Sequence, residues 1–170
     1  MTKPTFIAGC AGLALLATAA LAKDAAVDVR ASMQGGVNPA MLSIWKVTNE
    51  AVSEDGGIDP ELMNDAMWAQ VAQGAEGLAA SARVLAGGST FVAASADNVS
   101  ISAGEVPMAQ IQKYLDSDPQ GFALLAAALA DHGEMLAAAA RAKDAPTAGR
   151  LVGELDGVCE GCHARYWYPE

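Results

Sequence analysis

Aromatic side chains are scarce in this chain: three Phe, three Trp and three Tyr among 170 residues. β-Branched runs are scarce as well, and no segment shows the alternation of a strand, which argues against a sheet-built fold. Cations are few. Ten Lys and Arg face twenty Asp and Glu, a formal net charge of -10. Such a surface has little to offer nucleic acid or an anionic membrane and favours basic or weakly charged partners. Histidine occurs only twice, as His132 and His163, and cysteine three times, as Cys10, Cys159 and Cys162. What the chain has in quantity is alanine. Ala loses no side-chain entropy in a helix, so the composition points to an all-α fold. Although 52% of residues are hydrophobic, much of that is Ala, and the larger groups needed to fill a core are modest in number.

The length suits one domain. The N-terminus reads as an export signal: Lys3, then an apolar stretch from about Phe6 to Leu21, then Ala20-Leu21-Ala22 as a small-x-small cleavage site. A short membrane anchor is the alternative, but the run is marginal against the roughly 20 residues that a span requires. Lipidation at Cys10 would leave too short an apolar segment before the cysteine. Cleavage after about Ala22 therefore divides the chain into a signal peptide, residues 1–22, and a mature periplasmic domain, residues 23–170. Cys10 is lost with the signal.

Four helical segments are expected. The first begins near Asp24, carries Arg30 and Met33, and is interrupted by Gly35-Gly36 and Asn38-Pro39, where Pro39 either kinks one helix or starts a second with Asn38 as its cap. Beyond Pro39, the positions Met41, Ile44, Thr48 and Ala51 recur at helical spacing up to Gly56-Gly57. The second opens at Asp59-Pro60-Glu61, with Pro at a first helical position, and closes at Gly87-Gly88. An irregular connection follows, with a short helix from about Pro107 to Leu115. The third starts at Asp118-Pro119 and sets Phe122, Leu125, Leu129, His132 and Leu136 along a bundle seam, ending near Lys143 or Asp144. The fourth runs from about Pro146 to beyond His163, with Leu151, Leu155, Val158 and Cys162 in the same stepping. Four such helices predict an antiparallel four-helix bundle.

The last helix carries Cys159-Glu160-Gly161-Cys162-His163. Cys-x-x-Cys-His is the spacing of c-type haem attachment. Two thiols three residues apart on a helix lie on one side of a turn, where each can bond a vinyl group of the porphyrin. The adjacent imidazole can then reach the iron. A buried haem also supplies the apolar bulk that the composition lacks. Three other uses of the cysteines are weaker. A thiol redox pair belongs where a strand meets a helix. A structural zinc site needs four ligands. A disulfide across so tight a loop staples little.

An export signal, a helical body and Cys-x-x-Cys-His within a dozen residues of the end resemble class II cytochromes c, the cytochrome c-prime family. The layout covers the whole mature chain, with extra residues around Gly87 to Asp116. The resemblance implies a four-helix bundle with one covalent haem c on Cys159 and Cys162, and His163 as the proximal iron ligand. It also implies a possible homodimer through the first two helices, where Trp45 or Trp68 could serve. In that family the first helix faces the distal side of the haem. Some members place a Met there, giving six-coordinate iron suited to electron transfer; others leave the position open to NO or CO. Met33, three residues after Arg30, resembles the Arg-then-Met pattern of the former and is the leading distal candidate. Met41 and His132 are the alternatives, and packing remains the simpler role for either Met. Arg30 is a candidate partner for a haem propionate. Arg165 is placed to shield the proximal face, and Tyr166-Trp167-Tyr168 to cover the haem edge or cap the bundle.

The function expected is electron transfer with a redox protein partner; the alternative is a five-coordinate module binding small gases. An enzyme needs a distal acid/base group over open iron, and only His132 could serve. The reading is therefore of a non-enzymatic cytochrome.

Overall fold

The structure is a computed structural model that describes residues 25–168. The segment expected to be an export signal, its expected cleavage site and Cys10 lie outside the described residues.

The first helix starts at Val29, later than the expected Asp24, because Asp28 caps it. Its backbone is extended, and its Oδ1 accepts the Ala31 N–H at 2.9 Å. Of the two outcomes expected at Pro39, the structure has the single distorted helix rather than a second helix capped by Asn38. The helix runs from α1 (Val29–Ser32) through a π-helical turn (Met33–Val37) directly into α2 (Asn38–Thr48). The Asn38 N–H bonds to the Met33 carbonyl, one residue further back than in an α-helix. Pro39 has no N–H to give and its ring crowds the carbonyl four residues earlier. A widened turn, with Gly35 at that position, accommodates both without ending the helix.

The second helix is also corrected at its start. Asp59-Pro60 opens a single turn, in which Asp59 Oδ1 accepts the Glu61 N–H at 2.9 Å and the Met63 N–H reaches the Pro60 carbonyl. The true cap is Asn64, whose Oδ1 accepts from Met67 N–H, and α3 spans Asp65–Ala86. Gly87-Gly88 ends it as expected. Then come α4 (Met108–Ser117), α5 (Pro119–Arg141) and α6 (Ala145–Tyr166). Asp118 and Asp144 cap the last two, and Pro stands in the first turn of each. α5 is apolar and long enough to cross a membrane by length and composition, with half of that window buried against the rest of the chain.

The sequence shows no strand pattern, yet the structure contains one small parallel pair, β1 (Val27–Asp28) and β2 (Phe91–Val92). It ties the connection after α3 to the start of the first helix. Side chains reinforce the tie. Gln112 Oε1 accepts the Ala93 N–H at 2.8 Å while its Nε2 donates to the Phe91 carbonyl at 3.0 Å. The Ser95 N–H donates to Asp28 Oδ2 at 2.8 Å.

The protein is thus mostly helical among the described residues. α3 and α5 pack along each other, α2 lies on α3, and α6 lies on α5. Small residues make this approach possible: a Cβ on Gly133 of α5 would sit 3.0 Å from the Ala75 carbonyl oxygen of α3. Val71, Leu78, Leu85, Leu136, Leu151 and Leu155 fill the centre and are fully buried or nearly so. The seams read from the sequence are therefore the buried faces, as are Met41, Ile44, Thr48 and Ala51. Packing thins toward the C-terminal end of α6, where Val158, Cys159 and Cys162 are only partly buried.

Candidate functional site

Where the α6 seam loses its bulky partners, two cavities open between α6 and the first helix. One, of about 260 Å³, is lined among others by Val29, Arg30, Met33, Ile111, Cys162 and His163. The other, of about 270 Å³, is lined among others by Met33, Met41, Trp45, Leu129, Cys159 and His163. Met33, Asn38, Phe122, Cys162 and His163 border both. Taken together they have the size and apolar lining of a cofactor slot, typically ~300–1,000 Å³.

The structure brings most of the expected site residues to this slot. Cys159, Cys162 and His163 line it from α6, Met33 from the π-turn, Met41 from α2 and Arg30 from α1. The π-turn is what places Met33: a residue at the mouth of a widened helix turn is directed differently from its α-helical neighbours, and such turns recur at functional sites. Met41 is buried, at 4% exposure, whereas Met33 is half-buried and borders both cavities. Between the two, Met33 is the one common to all the space near His163.

His132 is elsewhere, which corrects its place among the distal candidates. It is buried in α5, lines neither cavity, and its Nε2–H donates to the Leu151 carbonyl at 2.8 Å. It is a hydrogen-bonded core group that links α5 to α6. Arg165 also departs from its expected shielding role: its guanidinium pairs with Asp118, the cap of α5. Tyr166 is buried and its hydroxyl donates to the Asp118 carbonyl at 2.9 Å, so this pair pins the end of α6 to the start of α5. Burial and the neighbouring Asp118 carboxylate push the Tyr166 phenol up to about 12.

The chemistry of the donors is distinctive. Both thiols are free. Burial pushes the Cys162 thiol up to about 11, and Cys159 is raised by burial and by Asp156. Redox-active thiols commonly sit in electropositive surroundings that lower their pKa, the opposite direction to the shifts of Cys159 and Cys162. Burial lowers the pKa of His163, with Glu160 opposing, which favours the neutral imidazole that ligates metals. Among the described residues no three His, Cys, Asp or Glu side chains gather as a metal cluster.

Arg30 supplies the remaining clue. Its Nη1 is buried and has no hydrogen-bond partner. A buried guanidinium nitrogen left unpaired is costly, and Arg30 is one of the residues that line the first cavity. An apolar slot with two thiols, a neutral imidazole and an unpaired cationic donor at its edge fits a flat apolar ring that bears acidic groups.

Several lining residues were not singled out as site residues by their sequence pattern. Phe122 reads as a seam residue, yet it borders both cavities and holds Phe91 and Tyr166 in edge contacts at 4.8 and 5.2 Å. Asn38 reads as a cap and Met108 as unassigned. Their placement depends on the π-turn and on the fold of the connection after α3, neither of which has a periodic signature. Comparison with models of protein families, with curated proteins and with solved structures finds no match to this chain.

Proposed function

We propose that the chain is an exported monohaem c-type cytochrome, a four-helix bundle of the class II kind that transfers electrons in the periplasm. The observation that carries the reading is the convergence of Cys162, His163 and Met33 on the space shared by the two cavities. Cys159 borders the second cavity beside them. Cys159 and Cys162 would hold the porphyrin by thioether bonds to its two vinyl groups, each S–H supplying the hydrogen that the vinyl takes up. His163 would give its neutral imidazole to the iron, and Met33, from the first helix, would be the second protein ligand. Arg30 holds a propionate through the nitrogen that otherwise has no partner.

When bound, the haem supplies a one-electron iron couple. The chain keeps it in an apolar slot built by Val29, Ile111, Leu115 and Phe122, and a thioether opposite the imidazole raises the potential relative to a second imidazole. The acidic chain suits a partner with a basic docking face.

The test is an absorption spectrum of protein matured in a periplasm with haem-loading machinery, recorded in both oxidation states with and without CO. The reading predicts a sharp low-spin alpha band in the reduced protein, unchanged by CO. A ferrous form that binds CO at once identifies the gas-binding alternative instead.

A further inference from the structure

A metal-bound histidine commonly has its second ring nitrogen hydrogen-bonded to a carboxylate, a carbonyl or water, which fixes the ring and raises its basicity. Among the described residues, no side-chain hydrogen bond fixes the His163 ring. Aromatic rings surround it instead. The Trp167 ring meets the imidazole edge-on, with centroids 4.9 Å apart and planes at 79°, and Tyr168 lies at 6.1 Å. Both rings are held there by the backbone, because the N–H groups of Trp167 and Tyr168 both donate to the His163 carbonyl, at 2.8 and 3.0 Å. The Tyr168 hydroxyl donates to Glu160 Oε2 at 2.7 Å, closing a bridge from one turn before His163 to the residues after it.

Glu160 stands three residues before His163 on the same helix, and its charge already reaches the imidazole. It is the nearest carboxylate in sequence that could accept from the ring. Resting on the haem reading, we propose that Trp167, with the Tyr168–Glu160 bridge, is a positioning clamp for the proximal imidazole. Trp167 sets the plane of the ring by contact, a geometry aromatic pairs favour. Tyr168 holds Glu160 through Oε2 and so orients its carboxylate toward the Tyr168 hydroxyl rather than toward His163. The imidazole is thereby rigid yet only weakly basic, which raises the iron potential. The three terminal aromatic residues divide the labour: Tyr166 fastens the helix to α5 through Asp118, while Trp167 and Tyr168, 38% and 45% exposed, act on His163.

The test uses the haem-loaded protein and three variants: Trp167→Ala, Trp167→Phe and Tyr168→Phe. The readouts are the reduction potential and, with Met33→Ala added to each protein so that the ferrous iron is five-coordinate, the iron–imidazole stretching band. Trp167→Ala should broaden and shift the band and loosen His163, with acid displacement of the imidazole about tenfold faster, the lower end of effects seen on removing such supports. Trp167→Phe should restore the wild-type band. Tyr168→Phe should release Glu160 to His163 and lower the potential, whereas a merely structural role would leave the potential unmoved. A red wild-type protein beside Trp167→Ala and Tyr168→Phe proteins of unchanged band and potential overturns the clamp and leaves the haem reading intact. A wild-type chain that takes up no haem overturns both.

Discussion

Two residues carry the sharpest distinction between ligand and core. Met33 borders both cavities, and His132 borders neither. Replacing Met33 by Ala should abolish the low-spin alpha band and open the ferrous iron to CO, read by absorption spectroscopy. Replacing His132 by Leu should leave the spectrum as it is and destabilise the fold by about 1 kcal/mol, since the hydrogen bond that links α5 to the Leu151 carbonyl of α6 is lost; denaturant titration measures this. Asp28 is a third case. Partial burial pushes its carboxyl up, but hydrogen bonds from Ala31 and Ser95 outweigh this and hold it below its ordinary value. A carboxyl depressed in the folded state stabilises fully above its unfolded pKa, and that contribution fades as pH falls through the folded value. Asp28→Ala should therefore cost about 1 kcal/mol at neutral pH, the worth of a helix cap. The difference from wild type should shrink in acid below pH ~4.

At the scale of elements, the π-turn decides where the Met33 side chain sits, and it leaves little room. A Cβ on Gly36 would lie 2.4 Å from Ser81 Oγ and 2.9 Å from Ser81 Cβ. Gly36→Ala should destabilise by about 1–3 kcal/mol through overpacking, and Ser81→Gly in the same chain should recover most of the loss in thermal melts. The turn also marks the boundary of what the sequence makes legible. Seams with steps of three and four residues, such as Leu129 to Leu136, announce their buried faces because a helix repeats every 3.6 residues. The Asp-Pro signal is genuine at Pro119 but initiates only one turn at Pro60, since the same local hydrogen bonds serve a turn and a helix start. Gly35-Gly36 and Asn38-Pro39 read as an interruption because propensity is a local quantity. The continuous helix wins through packing against α3, a long-range effect. The β1–β2 pair, two residues per strand, is too short for any alternation to register. At the site, the Cys159–His163 motif is explicit in the sequence, while the roles of Phe122 and Trp167 emerge only from contacts between or along helices.

For the molecule as a whole, the ion pairs are spread over the exterior. Arg83 holds Asp131 and Glu134, and Arg141 pairs with Glu76, so α3 and α5 are linked on their exposed sides. Exposed pairs of this kind contribute little, ~0–1 kcal/mol each, and the fold rests on the alanine-rich contact between those helices. Excess negative charge remains after pairing, so electron exchange should slow with a basic redox protein and quicken with an acidic one as salt rises, measured by stopped-flow at several ionic strengths. All of this depends on the slot between α6 and the first helix being filled by a covalently tethered ring. The most direct measurement is denaturing extraction of the periplasmically matured chain, comparing wild type with a Cys159→Ala, Cys162→Ala double variant. The red chromophore should stay with the wild-type polypeptide and be absent from the variant. A colourless wild-type chain whose two thiols both react with a thiol reagent contradicts the account.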